Sequence, residues 1–154
     1  MVGSRNASRG GIGVARDFAK HFARLGIVVT SGLAEGIDGA AHAACLDAGG
    51  ATIAVCGTGL DRVYPERHRE LARRIVTQGA LVSDFPIGTP PLPEHFPRRN
   101  RIIAGLTLGT LVVEASLKSG SLITARLAAE CGRDVFAIPG SIHDPRARGC
   151  HHLI

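Results

Sequence analysis

Tryptophan is absent from this 154-residue sequence, tyrosine occurs once and phenylalanine five times. So few rings exclude an extended platform for stacking successive bases. Lysine is almost absent too: only Lys20 and Lys118 occur, and every other strong base is arginine. The four cysteines, Cys45, Cys56, Cys131 and Cys150, are scattered without a Cys-x-x-Cys pair. That spacing argues against a zinc site and a disulfide frame. Cys45, Cys56 and Cys131 lie in apolar runs and read as buried small side chains. Cys150-His151-His152 has no fourth ligand spaced nearby and reads as a loop rim without metal. No apolar run approaches ~18 residues and no signal peptide is visible, so no membrane span is predicted and a reducing cytoplasm is the simplest location. There is no internal repeat and no low-complexity tract.

What is present is a core. The chain is 45% apolar and of a length that fits one compact domain, residues 1–154. Its formal net charge of +5 favours an anionic partner, and arginine forks grip phosphates at two points. The same charge also serves solubility.

Short β-branched runs alternate with helical stretches, the pattern of a parallel α/β sheet. Helical spacing of Ile12, Ala15, Phe18, Ala19, Phe22 and Leu25 predicts a helix over 11–25, ended by Gly26. Strands are predicted over 27–30, 52–56, 80–83, 110–114 and 135–138. Helices are predicted over 37–48, from Pro65 to about 78, over 99–106 and over 121–131. The apolar residues of the last predict cover on most sides. Phe18, Phe22 and Phe136 are assigned to the core. Residues 86–97 hold five prolines and are read as a loop. Both ends look cut: almost no strand precedes Gly3-Ser4-Arg5, and an apolar run begins at His152-Leu153-Ile154.

Each strand is followed by a glycine-bearing turn: 3–5, 31–36, 57–61, 119–121 and 139–141. A parallel sheet gathers such turns at its carboxyl edge, where backbone N–H groups and helix N-termini favour anions. Serines and Thr124 add donors. No Gly-x-x-x-x-Gly-Lys-Ser/Thr occurs, so a P-loop ATPase is not indicated. Gly57-x-Gly59-x-x-Arg62 lacks the third glycine of the dinucleotide fingerprint, and no ribose-binding acid follows. No cofactor is predicted.

Arg98-Arg99-Asn100-Arg101 is the densest basic cluster. It either tracks a sugar–phosphate backbone, with Asn100 reading a base edge, or ties the loop to the sheet. At least one of its arginines is expected inside, paired with Glu114 or Asp84. Phe96 is a stacking residue or a loop anchor, Tyr64 a turn anchor. Arg62, Arg67, Arg69, Arg73 and Arg74 read as a solvated face. Asp38 and His42, four apart, form an acid–base pair or a helix–loop hydrogen bond.

Several segments carry a resemblance: 2–5 (VGSR), 31–38 (SGLAEGID) with Ala41-His42, and 52–61 (TIAVCGTGLD) with Tyr64-Pro65. They continue with 96–106 (FPRRNRIIAGL), 112–115 (VVEA), 119–125 (SGSLITA), 132–140 (GRDVFAIPG) and 149–154 (GCHHLI). With these in fixed order, the chain resembles the DprA/Smf family of DNA-processing proteins. The resemblance implies a Rossmann-like three-layer α/β domain, with a mostly parallel sheet and helices on both faces. It further implies a cytoplasmic homodimer that binds single-stranded DNA during natural transformation and loads the RecA recombinase, without being an enzyme. Carried onto matching positions, it points to Arg5, Gly32, Arg67, Arg69, Phe96, Arg98, Arg99, Asn100, Arg101, Lys118, Ser119, Gly120 and Ser121. Asp84 departs from the glutamate common there. The alternative is a nucleotide-binding protein or an enzyme similar to the Lonely-guy phosphoribohydrolases. Gly109-Thr110 and Glu114 match part of their motif, but the Pro-Gly-Gly element is missing.

Overall fold

The computed structural model describes residues 1–154. Six strands, β1 (Val2–Gly3), β2 (Val29–Ser31), β3 (Thr52–Val55), β4 (Ala80–Val82), β5 (Gly109–Val113) and β6 (Asp134–Ala137), alternate with six helices. The helices are α1 (Arg9–Arg24), α2 (Ile37–Asp47), α3 (Arg69–Gln78), α4 (His95–Gly105), α5 (Gly120–Glu130) and α6 (Arg148–Leu153). Every strand pairing is parallel: β2–β3–β4 on one side and β1–β5–β6 on the other. The halves meet where Met1 N donates to Thr30 O at 2.7 Å and Ser31 Oγ donates to Met1 O at 2.6 Å. The strand order therefore reverses between β1 and β5, and the fold is the expected α/β arrangement of three layers.

Side-chain alternation along the strands builds a core on each face. Leu111 and Val113 of β5 join Ala15 and Ala19 of α1 and Ile37, Ala41 and Ala44 of α2. Val112, between them, points the other way to Ile103 of α4, Ala125 of α5 and Cys150 of α6. A third cluster seats Ala72 and Ile75 of α3 against Ala54, Cys56 and Leu46.

The structure corrects several expectations. β2 begins two residues late, and Ile27 and Val28 are exposed. Gly26, at φ 72°, lets Ile27 N return to Phe22 O at 2.9 Å, so the helix cap consumes residues assigned to the strand. α1 starts earlier than predicted because Ser8 caps it, its Oγ accepting from Gly11 N at 2.9 Å. The proline-rich loop stops at residue 94. Pro97 lies in the first turn of α4, where a missing N–H costs no helical bond. Cys131 is exposed, as are Phe18 at 37% and Phe136 at 57%. Phe136 points from β6, an outer strand of the sheet. The apolar run at the C-terminal end belongs to α6.

His42 lies wholly inside. Thr52 Oγ1 donates to Val29 O at 2.5 Å, so the 2.7 Å contact between His42 Nδ1 and Thr52 Oγ1 requires the imidazole to donate. The proton sits on Nδ1, and Nε2 has no partner. Asp38 and His42 do not pair: Asp38 makes the helix–loop hydrogen bond, accepting from the Gly32 and Ala34 amides. Burial pushes the His42 pKa from 6.5 down to about 3. The unfolded chain takes up this proton more readily, so stability is full above pH 6.5 and falls as pH drops toward 3. The slope is about 1.4 kcal/mol per pH unit. Urea denaturation is expected to lose about 2 kcal/mol of stability to this group between pH 7.5 and pH 5. His42→Leu removes that component; an unchanged pH dependence in the variant would refute a neutral buried imidazole.

Candidate functional site

The site is built on Arg99. Arg99, 4% exposed, carries its guanidinium on the inner face of α4. Nη1 donates to Gly32 O at 2.7 Å and to Val55 O, and Nε donates to Asn100 Oδ1 at 3.0 Å. Asn100 Nδ2 in turn donates to Gly120 O at 3.3 Å. Two adjacent side chains thus join the turns after β2 and β3 to the start of α5. Burial pulls the Arg99 pKa down, opposed by the charge of Asp38. Gly32 makes the arrangement possible, since a Cβ there would lie 2.4 Å from Arg99 Nη2. Its N–H is already engaged, donating to Asp38 Oδ2 at 3.0 Å.

Above this floor lies a cleft of about 590 Å³ at the β1/β5 reversal, where open α/β sheets receive ligands. The first turn, Phe96 and Pro97 of α4, and Ser119–Ser121 line it. The Phe96 ring is half-buried, 5.3 Å from the Tyr64 ring. Arg5 Cζ stands 5.3 Å from the Phe96 centroid and Arg99 Cζ 5.9 Å, so the aromatic face carries cationic contacts from an exposed and a buried arginine. Ser121 Oγ donates to Gly3 O at 2.9 Å, and Ser119 caps α5.

The α1 N-terminus, the usual pyrophosphate seat of a dinucleotide fold, is filled by the protein itself. Glu114, at φ 54°, follows β5 and turns its carboxylate onto Ser8, accepting from Ser8 N at 2.8 Å and from Ser8 Oγ. Gly11 leaves room for it, because a Cβ there would lie 2.5 Å from Glu114 Cδ. A ligand phosphate would have to displace this carboxylate.

Of the residues predicted from sequence, Arg5, Phe96, Arg99, Asn100, Ser119, Gly120 and Ser121 meet in the cleft. Gly32 lies beneath, against Arg99. Lys118 is exposed in the loop after β5, outside the lining. Arg98 and Arg101 face solvent on the outer side of α4. Arg98 Cζ lies 5.4 Å from the Phe85 centroid, and Arg101 pairs with Asp84 at 2.5 Å. Arg67 pairs with Glu35 at 3.1 Å and Arg69 with Glu66 at 2.9 Å, both exposed. The internal arginine is therefore Arg99, held by carbonyls rather than the expected Glu114 or Asp84. Sequence reasoning missed Tyr64 and Arg146 in the lining. Arg146 lies in a loop without a recognisable pattern; Tyr64 had its neighbouring Tyr-Pro as a signal.

The family model described as DNA recombination-mediator protein A matches residues 1–154. The chain belongs to this family. It is 55% identical along its whole length to Protein Smf of Escherichia coli (strain K12), covering 41% of that protein. It is 53% identical to DNA processing protein DprA of Streptococcus pneumoniae, covering 54%. The chain spans about half the length of these curated relatives. The X-ray structure of Streptococcus pneumoniae DprA superposes with a TM-score of 0.91 at 50% identity, over 99% of this chain and 53% of that one. DNA processing protein A of Helicobacter pylori, described for its single-stranded DNA binding mode, gives 0.91 at 28% identity, over 99% and 68%. The molybdenum cofactor carrier protein of Chlamydomonas reinhardtii, at 20% identity and a TM-score of 0.60, shares the fold alone.

Removing the floor tests its role. Arg99→Met strips donors from two carbonyls and from Asn100, and is expected to cost about 2–4 kcal/mol in urea denaturation. Gly32→Ala drives a methyl into the guanidinium and is expected to cost about 1–3 kcal/mol. Since both act on one contact, the double variant should lose less than their sum. Full additivity would show that Gly32 and Arg99 do not depend on each other.

Proposed function

We propose that the cleft holds a single strand of DNA and that this protein is a binding module of DNA processing rather than an enzyme. The observation that carries the reading is Arg5, exposed beside the Phe96 ring on a buried arginine floor. A phosphate would sit on Arg5 and on the Gly120 N–H at the start of α5, since Ser121 N and Leu122 N already donate to Ser119, with one base against Phe96. The single-strand binding described for the Helicobacter pylori relative, which shares the whole fold, supports it.

Within this reading Arg5, Phe96 and Ser119–Ser121 touch the strand. Gly32, Arg99 and Asn100 hold the walls that shape the site. Lys118, Arg98, Arg101, Arg67 and Arg69 stand outside the cleft as a peripheral field that draws the backbone in. Transfer of the strand to the RecA recombinase in natural transformation, a homodimeric state and a cytoplasmic setting complete the proposal. The relatives named for DNA processing support the DNA-processing part of this reading. The engagement of Glu114 by Ser8 supports binding over nucleotide cleavage, because the candidate catalytic carboxylate is committed to a helix end.

Fluorescence anisotropy of a labelled ~20-mer across a salt series tests it. Binding should prefer the single strand and weaken with salt irrespective of sequence. Arg5→Ala is expected to weaken binding to all sequences alike and to reduce the slope of log K against log salt by about 0.7. Equal binding of duplex and single strand, or no effect of Arg5→Ala, would refute the assignment of the cleft.

A further inference from the structure

Arg146 lies outside every segment that carries the family resemblance, yet it lines the cleft. It comes from the loop between β6 and α6, which folds back on itself. Asp144 N donates to Ser141 O at 3.0 Å, Ala147 N donates to Asp144 O at 2.9 Å, and His151 Nε2 meets Gly140 O at 3.0 Å. Gly140 and Ala147 pack so closely that a Cβ on Gly140 would lie 2.8 Å from Ala147 Cβ.

Inside this loop Asp144 fixes the guanidinium. Oδ1 accepts from Arg146 N at 2.9 Å and from Nε at 3.0 Å, and Oδ2 accepts from Nη2 at 2.9 Å. A guanidinium has five N–H groups, and Asp144 takes one from Nε and one from Nη2. Both hydrogens of Nη1 and the second of Nη2 stay free on a side chain 42% exposed. The rotamer freedom normally lost when an arginine grips an anion is already spent in the loop. The other carboxylates nearby are committed: Asp38 to the Gly32 and Ala34 amides, Glu114 to Ser8.

We infer that Arg146 is a second phosphate-binding residue of the cleft, pre-oriented by Asp144, which grips the nucleic-acid backbone at a position separate from Arg5. The inference rests on the single-strand reading of the cleft. It gives the strand two cationic contacts, Arg5 on the turn after β1 and the pre-oriented Arg146 in the loop after β6. Asp144 is a positioning residue that acts through the guanidinium.

The test compares wild type, Arg146→Gln, Arg146→Lys, Asp144→Ala and Arg5→Ala by anisotropy on a labelled ~20-mer single strand over a salt series, with urea denaturation in parallel. Arg146→Gln should weaken binding about tenfold and reduce the salt slope by about 0.7, with an unchanged urea midpoint. Arg146→Lys should keep the slope but lose affinity about threefold, because the fork is gone. Asp144→Ala should lose affinity similarly at an unchanged slope, the mark of a charge present but no longer held. If Arg5→Ala weakens binding while Arg146→Gln binds as wild type, the cleft reading stands and this inference falls. A loss in Arg146→Gln with no change in slope overturns it too. If wild type binds no single strand, both fall.

Discussion

A buried guanidinium with no carboxylate in contact is costly to place, and the shape of this site depends on one. Arg99 gives up water and in return meets the Gly32 and Val55 carbonyls and the Asn100 side chain. Those carbonyls lie at the ends of two parallel strands, where sheet pairing no longer uses them. The interaction therefore does two things at once. It satisfies groups that the end of a parallel sheet leaves free, and it fixes α4 against the turns that form the cleft. Asn100 extends the tie to α5 through Gly120 O. Without Arg99, Phe96 would lose the floor that holds its ring beside Arg5.

A second constraint decides which ligand such a fold can take. The start of α1 offers unpaired N–H groups and a partial positive charge, and in dinucleotide-binding folds that end receives a pyrophosphate. Here Glu114 supplies the negative charge from within, in a backbone conformation with positive φ. Sealing that seat shifts the open part of the edge toward Arg5, Phe96 and the N-terminus of α5. The same sheet reversal that elsewhere serves a nucleotide thus presents an aromatic face flanked by arginines.

Much of this was legible in the sequence. The alternation of strands and helices gave the parallel sheet, and the glycine-bearing turns gave the edge where the site lies. What was not legible has physical reasons. The extent of β2 was obscured because Ile27 and Val28 are apolar yet serve a helix cap and the surface. Phe136 looked internal because a strand on the outside of a sheet carries the same residues as a central one. Turn glycines read as phosphate contacts had other tasks: Gly32 makes space for Arg99, and its amide is taken by Asp38. Arg146 gave no signal, since its orientation comes from a loop that no periodicity describes.

The arginine cluster is divided by the phase of the helix that carries it. A loop running to residue 97 places Arg98–Arg101 at a helix start, without a defined face. Once Pro97 is allowed in the first turn, the helix runs from His95, and its 3.6-residue period separates the cluster. Phe96, Arg99, Asn100 and Ile103 fall on one side; Arg98, Arg101 and Gly105 fall on the other. The first set faces the sheet and the cleft, the second faces solvent. A cluster that reads as one basic patch is thus two parts with different physics: a desolvated tie that shapes the site, and an exposed charge on Arg101 paired with the half-buried Asp84. Only the helical phase assigns each arginine its role, and the phase follows from where the helix can begin.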